Sequence, residues 1–206
     1  MNNPYKKAAL PPFFSDRLQR NCECNFQAYK KCPVFESQSF IIRLVTEDDA
    51  EDLLICYSDP KSQELFNIDN FPNDCNFYTT AEMLKCIKFW LMEYSQEAYI
   101  RFCIVDKATN KAIGTIEMFG MVGKYKTDPG LLRVDIASDY EYTAYLKEIF
   151  NVCVDYFYDL FRVNTIATKA IPKAANRLEV LSEIGFYSGD FNGRTDYFLR
   201  SKSFSL

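Results

Sequence analysis

The stretch from Val163 to Phe186, VNTIATKAIPKAANRLEVLSEIGF, constrains the fold more than any other part of the chain. It reads as a strand stopped by Pro172, which has no amide hydrogen for a ladder. A short helix follows, with Asn176 in its first turns, and Gly185-Phe186 opens into another strand. A strand, a helix and a strand in so short a span make a crossover unit, with the helix laid on one face of a sheet.

The text upstream supplies the rest of that sheet. SFIIRLV from Ser39 predicts a strand. Thr46, with Asp49 three residues on, opens a helix through Tyr57 in the manner of a capping box. A loop rich in Asn, Asp and Pro runs from Ser58 to Asn76. Thr79 and Glu82 start a second helix, with Met83, Ile87, Trp90 and Leu91 on one side at helical spacing. AYIRFCIVD and AIGTIEMFG form a hairpin across the polar turn Lys107 to Lys111, and LLRVDIAS is a third central strand. A long helix then carries Leu146, Ile149, Phe150, Cys153, Phe157, Leu160 and Phe161 as an apolar stripe. After the crossover unit, FYSGDFNGRTDYFLR reads as a closing hairpin. Residues 1–38, broken by Pro4, Pro11, Pro12 and Pro33, read as an N-terminal extension that packs through its aromatics on a domain of residues 39–206. Composition and period together give a mixed α+β fold, largely antiparallel with one crossover.

The bulk properties exclude several function classes. The formal charge of −4 and the absence of a Lys/Arg-rich block argue against a nucleic-acid surface. The chain has no histidine, which removes imidazole general bases, Ser-His and Cys-His nucleophile pairs and every zinc site that needs a ring nitrogen. Acid-base work falls to Glu, Asp, Tyr, Lys, Cys or water. No segment has the run of about eighteen apolar residues that a membrane span needs. Scattered cysteines in apolar patterns (Cys56, Cys86, Cys103, Cys153) suit a reducing compartment, so a cytoplasmic location without membrane attachment is expected. Cys22, Cys24 and Cys32 lack zinc-type spacing and read as a reduced cluster, so no metal site is expected. Gly120-x-x-Gly123 with Lys124 and Lys126 lacks the Gly-Lys-Ser/Thr frame of a phosphate loop and reads as an irregular strand connection.

The order β-α-α-β-β-β-α-β-α-β-β over residues 39–200, with Asn176 and the helix ending Gly185-Phe186, resembles the GCN5-related N-acyltransferase (GNAT) superfamily. The similarity is greatest to the branch that acetylates ribosomal-protein N-termini. The resemblance implies an α/β/α sandwich with a mixed, mostly antiparallel sheet of about seven strands. It also implies acetyl transfer from acetyl-CoA (coenzyme A) to the amine of a small molecule or a protein N-terminus. In that family the strand matching Leu131–Ser138 splays from its neighbour and pairs with the pantetheine arm, and a glycine-bearing loop closes on the pyrophosphate. Here Tyr140, Thr143 and Tyr145 fall at the loop's diagnostic places. The cofactor-side residues that the resemblance implies are Asp135, Ile136 and Ala137 on the strand, Thr143, Ala144 and Tyr145 at the helix start, and Asn176. The Ser expected three residues after Asn176 is Glu179, and Leu181 stands where other branches carry a Tyr.

The changed loop has its own reading: Ser138 and Glu141 form a capping-box pair that satisfies the helix without a ligand. Glu117, on GTIEMF, matches a position where relatives carry a base acting through water, with Asp135 next for that role. Glu117 is equally readable as a solvent-facing strand carboxylate, and Asn176 as an ordinary early-helix residue. Two functions follow. One is an acyl-CoA-dependent N-acyltransferase. The other is a binding module of the same fold that no longer uses CoA, its cleft filled by another ligand, a partner or residues 1–38. The sequence leaves the acceptor and the oligomeric state open.

Overall fold

A computed structural model describes residues 27–66 and 77–202 of the 206-residue chain. An eight-stranded sheet runs in the order β1-β2-β3-β4-β5-β6-β8-β7. Its strands are β1 (Phe35–Glu36), β2 (Phe40–Leu44), β3 (Ile100–Asp106), β4 (Lys111–Phe119), β5 (Gly130–Ile136), β6 (Thr165–Lys169), β7 (Tyr187–Phe191) and β8 (Arg194–Ser201). Every neighbouring pair is antiparallel except β5 with β6, which are parallel. The helices are α1 (Gln27–Lys30), α2 (Ala50–Ser58), α3 (Pro60–Gln63), α4 (Thr80–Ser95), α5 (Thr143–Phe161) and α6 (Ala175–Glu183). No described helix is long and apolar enough to cross a membrane. The expectation of about seven strands is exceeded by one: β1 pairs with β2 at the sheet edge and comes from the segment read as an extension.

The sheet is covered on both sides, so β3 is buried along its whole length. Alternate strand residues then build two separate cores. Phe102, Ile104, Ile116, Met118, Leu132, Val134 and Ile136 meet the α5 stripe and Val180 and Leu181 of α6. On the other face Cys103 and Val105 meet Leu53, Cys56 and Tyr57 of α2 and Met83, Ile87 and Trp90 of α4. Phe35 joins the first core, stacked on Tyr156 with ring centroids 4.9 Å apart and tilted against Phe157 at 5.8 Å. Residues 1–26 and 67–76, and with them Cys22, Cys24 and most of the Asn/Asp/Pro-rich loop, lie outside the described residues.

Local chemistry sets the boundaries. Thr79 and Glu82 make a reciprocal capping box at α4, and the Asp49 carboxylate accepts from the Thr46 amide at 2.8 Å. Helix α6 ends in a Schellman motif: Phe186 N–H bonds the Leu181 carbonyl at 2.8 Å and Gly185 N–H that of Ser182 at 3.1 Å. Gly185 adopts φ +87°, a conformation that costs a residue without a Cβ nothing. The capping box expected from Ser138 and Glu141 is absent. Ser138 begins a 3₁₀ turn, α5 starts at Thr143 without a side-chain cap, and the Glu141 carboxylate turns instead to Arg177.

Candidate active site

The two central polar candidates sit on the α2/α4 face of the sheet. Register aligns Arg101 of β3, Glu117 of β4 and Arg133 of β5 in one row, with Thr115 opposite Asp135 in the next. Arg101 Nη2 meets Glu117 Oε2 at 2.5 Å and Nη1 lies 3.3 Å from Thr115 Oγ1. Arg133 grips Asp135 through Nε at 3.0 Å and Nη2 at 2.7 Å. The Tyr57 hydroxyl donates to Asp135 Oδ2 at 3.0 Å and is 2.7 Å from Thr115 Oγ1. Trp90 closes the site from α4, with the Arg101 guanidinium 4.6 Å above its ring. Burial acts to lower the Arg101 pKa, but the Glu117 carboxylate outweighs it and holds the pKa above its ordinary value.

Glu117 therefore does not face solvent. It is 8% exposed, and Asp135 is wholly buried. Both are in ion pairs with arginines that the sequence reading did not single out. The signal for Arg101 was available: a hairpin turning at 107–111 places it opposite Glu117.

The cofactor-side candidates lie where β5 leaves β6. Pairing between the two strands covers only Gly130–Leu132 with Ile166–Thr168, so β5 from Arg133 onward has no strand neighbour on that side. Ala137 N–H bonds the Ile113 carbonyl at 2.8 Å, extending the β4 ladder. By strand alternation the Val134 peptide carbonyl turns the other way, into the opening. Ile136 contributes its side chain to the core.

The loop after β5 is tied down internally. Ser138 N–H donates to Ser62 Oγ at 2.8 Å and Ser138 Oγ to Asp59 Oδ2 at 2.6 Å. Desolvation acts to raise the Asp59 pKa, but bonds from the Ser138 and Ser62 hydroxyls and from the Lys61 and Ser62 amides outweigh it and hold the carboxyl below its usual range. The amides of Tyr140, Glu141 and Tyr142 bond carbonyls of Ala137, Ser138 and Tyr140. Thr143, Ala144 and Tyr145 differ: they open a nineteen-residue helix with no side-chain cap, so their amides and the positive end of the helix dipole remain available to an anion. Asn176 Nδ2 donates to the Glu141 carbonyl at 2.5 Å, on the α6 lip of the same opening. Thus an opened strand edge and an uncapped helix start lie side by side, which fits an extended amide-bearing arm ending in a phosphate group. The tyrosines of the changed loop pack on one another and on Phe40: Phe40 with Tyr145 at 5.4 Å and Tyr140 with Tyr145 at 5.8 Å.

Comparison with known proteins identifies the fold. Residues 39–187 match the family model described as the acetyltransferase (GNAT) domain. A curated relative, the uncharacterized N-acetyltransferase YoaA of Bacillus subtilis (strain 168), is 22% identical over 156 residues, covering 75% of this chain and 82% of the relative. Among solved structures, ribosomal-protein-S5-alanine acetyltransferase from Vibrio fischeri superposes with a TM-score of 0.63 at 17% identity, covering 82% of this chain and 97% of that one. Spermidine N-acetyltransferase from Vibrio cholerae, in complex with CoA and spermine, gives 0.61 at 13% identity, covering 81% and 97%.

Proposed function

Because the chain belongs to the acetyltransferase (GNAT) family and is an N-acetyltransferase by that membership, we propose that it moves an acetyl group from acetyl-CoA directly to a primary amine. The acceptor class is an amine-bearing small molecule or a protein N-terminus. The observation that carries this reading is the opening of β5 from β6 beside the uncapped start of α5. Acetyl-CoA, when bound, supplies an activated thioester.

The chain's own residues do the rest. The β5 backbone groups that alternate away from β4, at Val134 and Ile136, offer partners along an extended arm, and the amides of Thr143, Ala144 and Tyr145 receive its phosphates. Glu117 takes the proton that the amine loses, through a water, and Arg101 holds the carboxylate in one orientation. Asp135, enclosed by Arg133, Arg101 and Tyr57, positions β5. We place the working protein in the cytoplasm, with residues 1–38 as an extension of the 39–206 domain.

A second reading has its own observation. The loop amides from Tyr140 to Tyr142 are satisfied within the chain and the Arg177 guanidinium stands in the strand opening, as in a domain of this fold that no longer takes CoA. Calorimetric titration of the full chain with CoA and acetyl-CoA decides between the two readings. Micromolar binding followed by amine-dependent thiol release supports the transferase, and absence of both at millimolar ligand refutes it. Within the transferase reading, Glu117→Gln lowers turnover by about 10²–10⁴-fold and leaves CoA affinity unchanged. A variant with unchanged turnover removes Glu117 from the mechanism.

A further inference from the structure

Arg177 is the largest fully buried side chain among the described residues, at 1% exposure. It sits on α6, and its guanidinium reaches into the place that β6 vacates. Nη1 donates to the Val134 carbonyl at 2.8 Å, and Nε lies 3.0 Å from each Glu141 carboxylate oxygen. Nη2 also pairs with Glu141. Further polar links join α6 to the same lip: Asn176 to the Glu141 carbonyl at 2.5 Å, Thr143 to Glu179 at 3.3 Å and Lys147 to Glu183 at 2.9 Å.

A buried ion pair is no better for stability than a well-packed apolar pair of the same volume, so its presence in an opening calls for another account. The acceptor it occupies supplies one. An extended amide-bearing chain that adds to a strand edge needs the edge carbonyls for its own N–H groups. At Val134 that carbonyl is already taken by the guanidinium. Glu141 neutralises Arg177 and fixes the fork in the plane needed to reach Val134.

We propose that Arg177 is the positioning residue that closes the acyl-CoA cleft. It occupies the Val134 carbonyl in the free protein and must give it up before the pantetheine arm can lie along β5. The proposal rests on the transferase reading above. The closed arrangement lowers apparent affinity in proportion to the fraction of open molecules. It acts on the pantetheine arm and not on the phosphates, which meet the start of α5.

The test compares CoA with 3′,5′-ADP, which lacks the pantetheine arm, by calorimetry on the full chain. The main variant is the double change Arg177→Met with Glu141→Gln, which leaves no orphan charge; a thermal melt checks its fold. Removing the latch is expected to tighten CoA by about tenfold to a hundredfold, with 3′,5′-ADP moving by less than about twofold. Arg177→Lys keeps the charge at Glu141 but lacks the planar fork, so it gives a smaller gain in CoA affinity and carries the test if the double variant does not fold. Equal CoA affinity in all forms overturns the latch and leaves the transferase reading intact. Equal gains for CoA and 3′,5′-ADP also overturn it, because they trace to charge rather than to the occupied carbonyl. If no form binds CoA, both the latch and the transferase reading fall.

Discussion

Replacing Arg101 with Met tests whether the polar row across β3, β4 and β5 is one coupled unit. Arg101 is 5% exposed, and its guanidinium holds the buried Glu117 at 2.5 Å, with Asp135 3.8 Å away and Trp90 at 4.6 Å. Met fills much of the volume but leaves Glu117 buried without its cation, which costs about 3–5 kcal/mol. One term offsets part of this: Arg101 Nε is buried without an acceptor among the described residues, and losing it returns about 1 kcal/mol. The net expectation is a loss of about 3 kcal/mol at pH 7, or about 6–12 °C in Tm for a chain of this size. Urea denaturation followed by the fluorescence of the chain's one tryptophan, Trp90, reads the effect at the site itself. Adding Glu117→Gln to the Arg101→Met background removes the orphan charge. The double variant is then expected to be more stable than the sum of the singles by about 2 kcal/mol. A single-variant loss below about 1 kcal/mol, or strict additivity, would refute the coupling on which the Glu117 assignment depends.

Two further outcomes follow from close contacts elsewhere. A Cβ on Gly114 would stand 2.2 Å from the Asp135 carbonyl oxygen and 2.8 Å from Ile136 Cα, both backbone. Gly114→Ala therefore pushes β5 off β4 and lowers stability by about 1–3 kcal/mol, read as a lower urea midpoint; an unchanged midpoint contradicts the tight approach. Asp49 is desolvated, which alone would raise its pKa. Its pair with Arg43 and its bonds to Thr46 outweigh this and hold it below the ordinary carboxylate value. A depressed folded-state value stabilises the protein above the unfolded pKa of about 3.9, and the contribution is lost as pH falls through the folded value. Asp49→Asn is thus expected to cost stability at pH 7 and to flatten the acid limb of a stability–pH curve. Parallel curves for the two proteins would remove Asp49 from acid unfolding.

Most of the fold was legible because long elements repeat their period. The α5 stripe, the β3–β4 hairpin and the Thr79/Glu82 cap each rest on residues near one another in sequence, and each formed where local chemistry placed it. Strand β1 was not legible: two residues are too few to show a period, and they hold only through pairing with β2 and the Phe35 ring contacts. The start of α5 shows local spacing losing to a distant partner. Ser138 and Glu141 have the letters of a capping box, yet Ser62 takes the Ser138 amide and Arg177 takes the Glu141 carboxylate. Both partners bring a deeper contact than a local cap could.

The site divides along the same line. Glu117 and Asp135 could be singled out as carboxylates on central strands, but the arginines that govern them lie on neighbouring strands and emerge only from register. Arg177 reads in sequence as one more polar residue of a short helix, and its burial exists only because β5 and β6 part after three paired residues. Taken together, Arg101, Arg133 and Arg177 are matched by Glu117, Asp135 and Glu141 in direct ion pairs. A chain with a formal charge of −4 thus matches each of these three buried or half-buried guanidiniums with its own carboxylate, two pairs in the β3–β5 row and one in the opening between β5 and β6. Within the transferase reading proposed above, Arg101 fixes the Glu117 carboxylate, so the acceptor amine meets it through a water rather than by displacing the guanidinium.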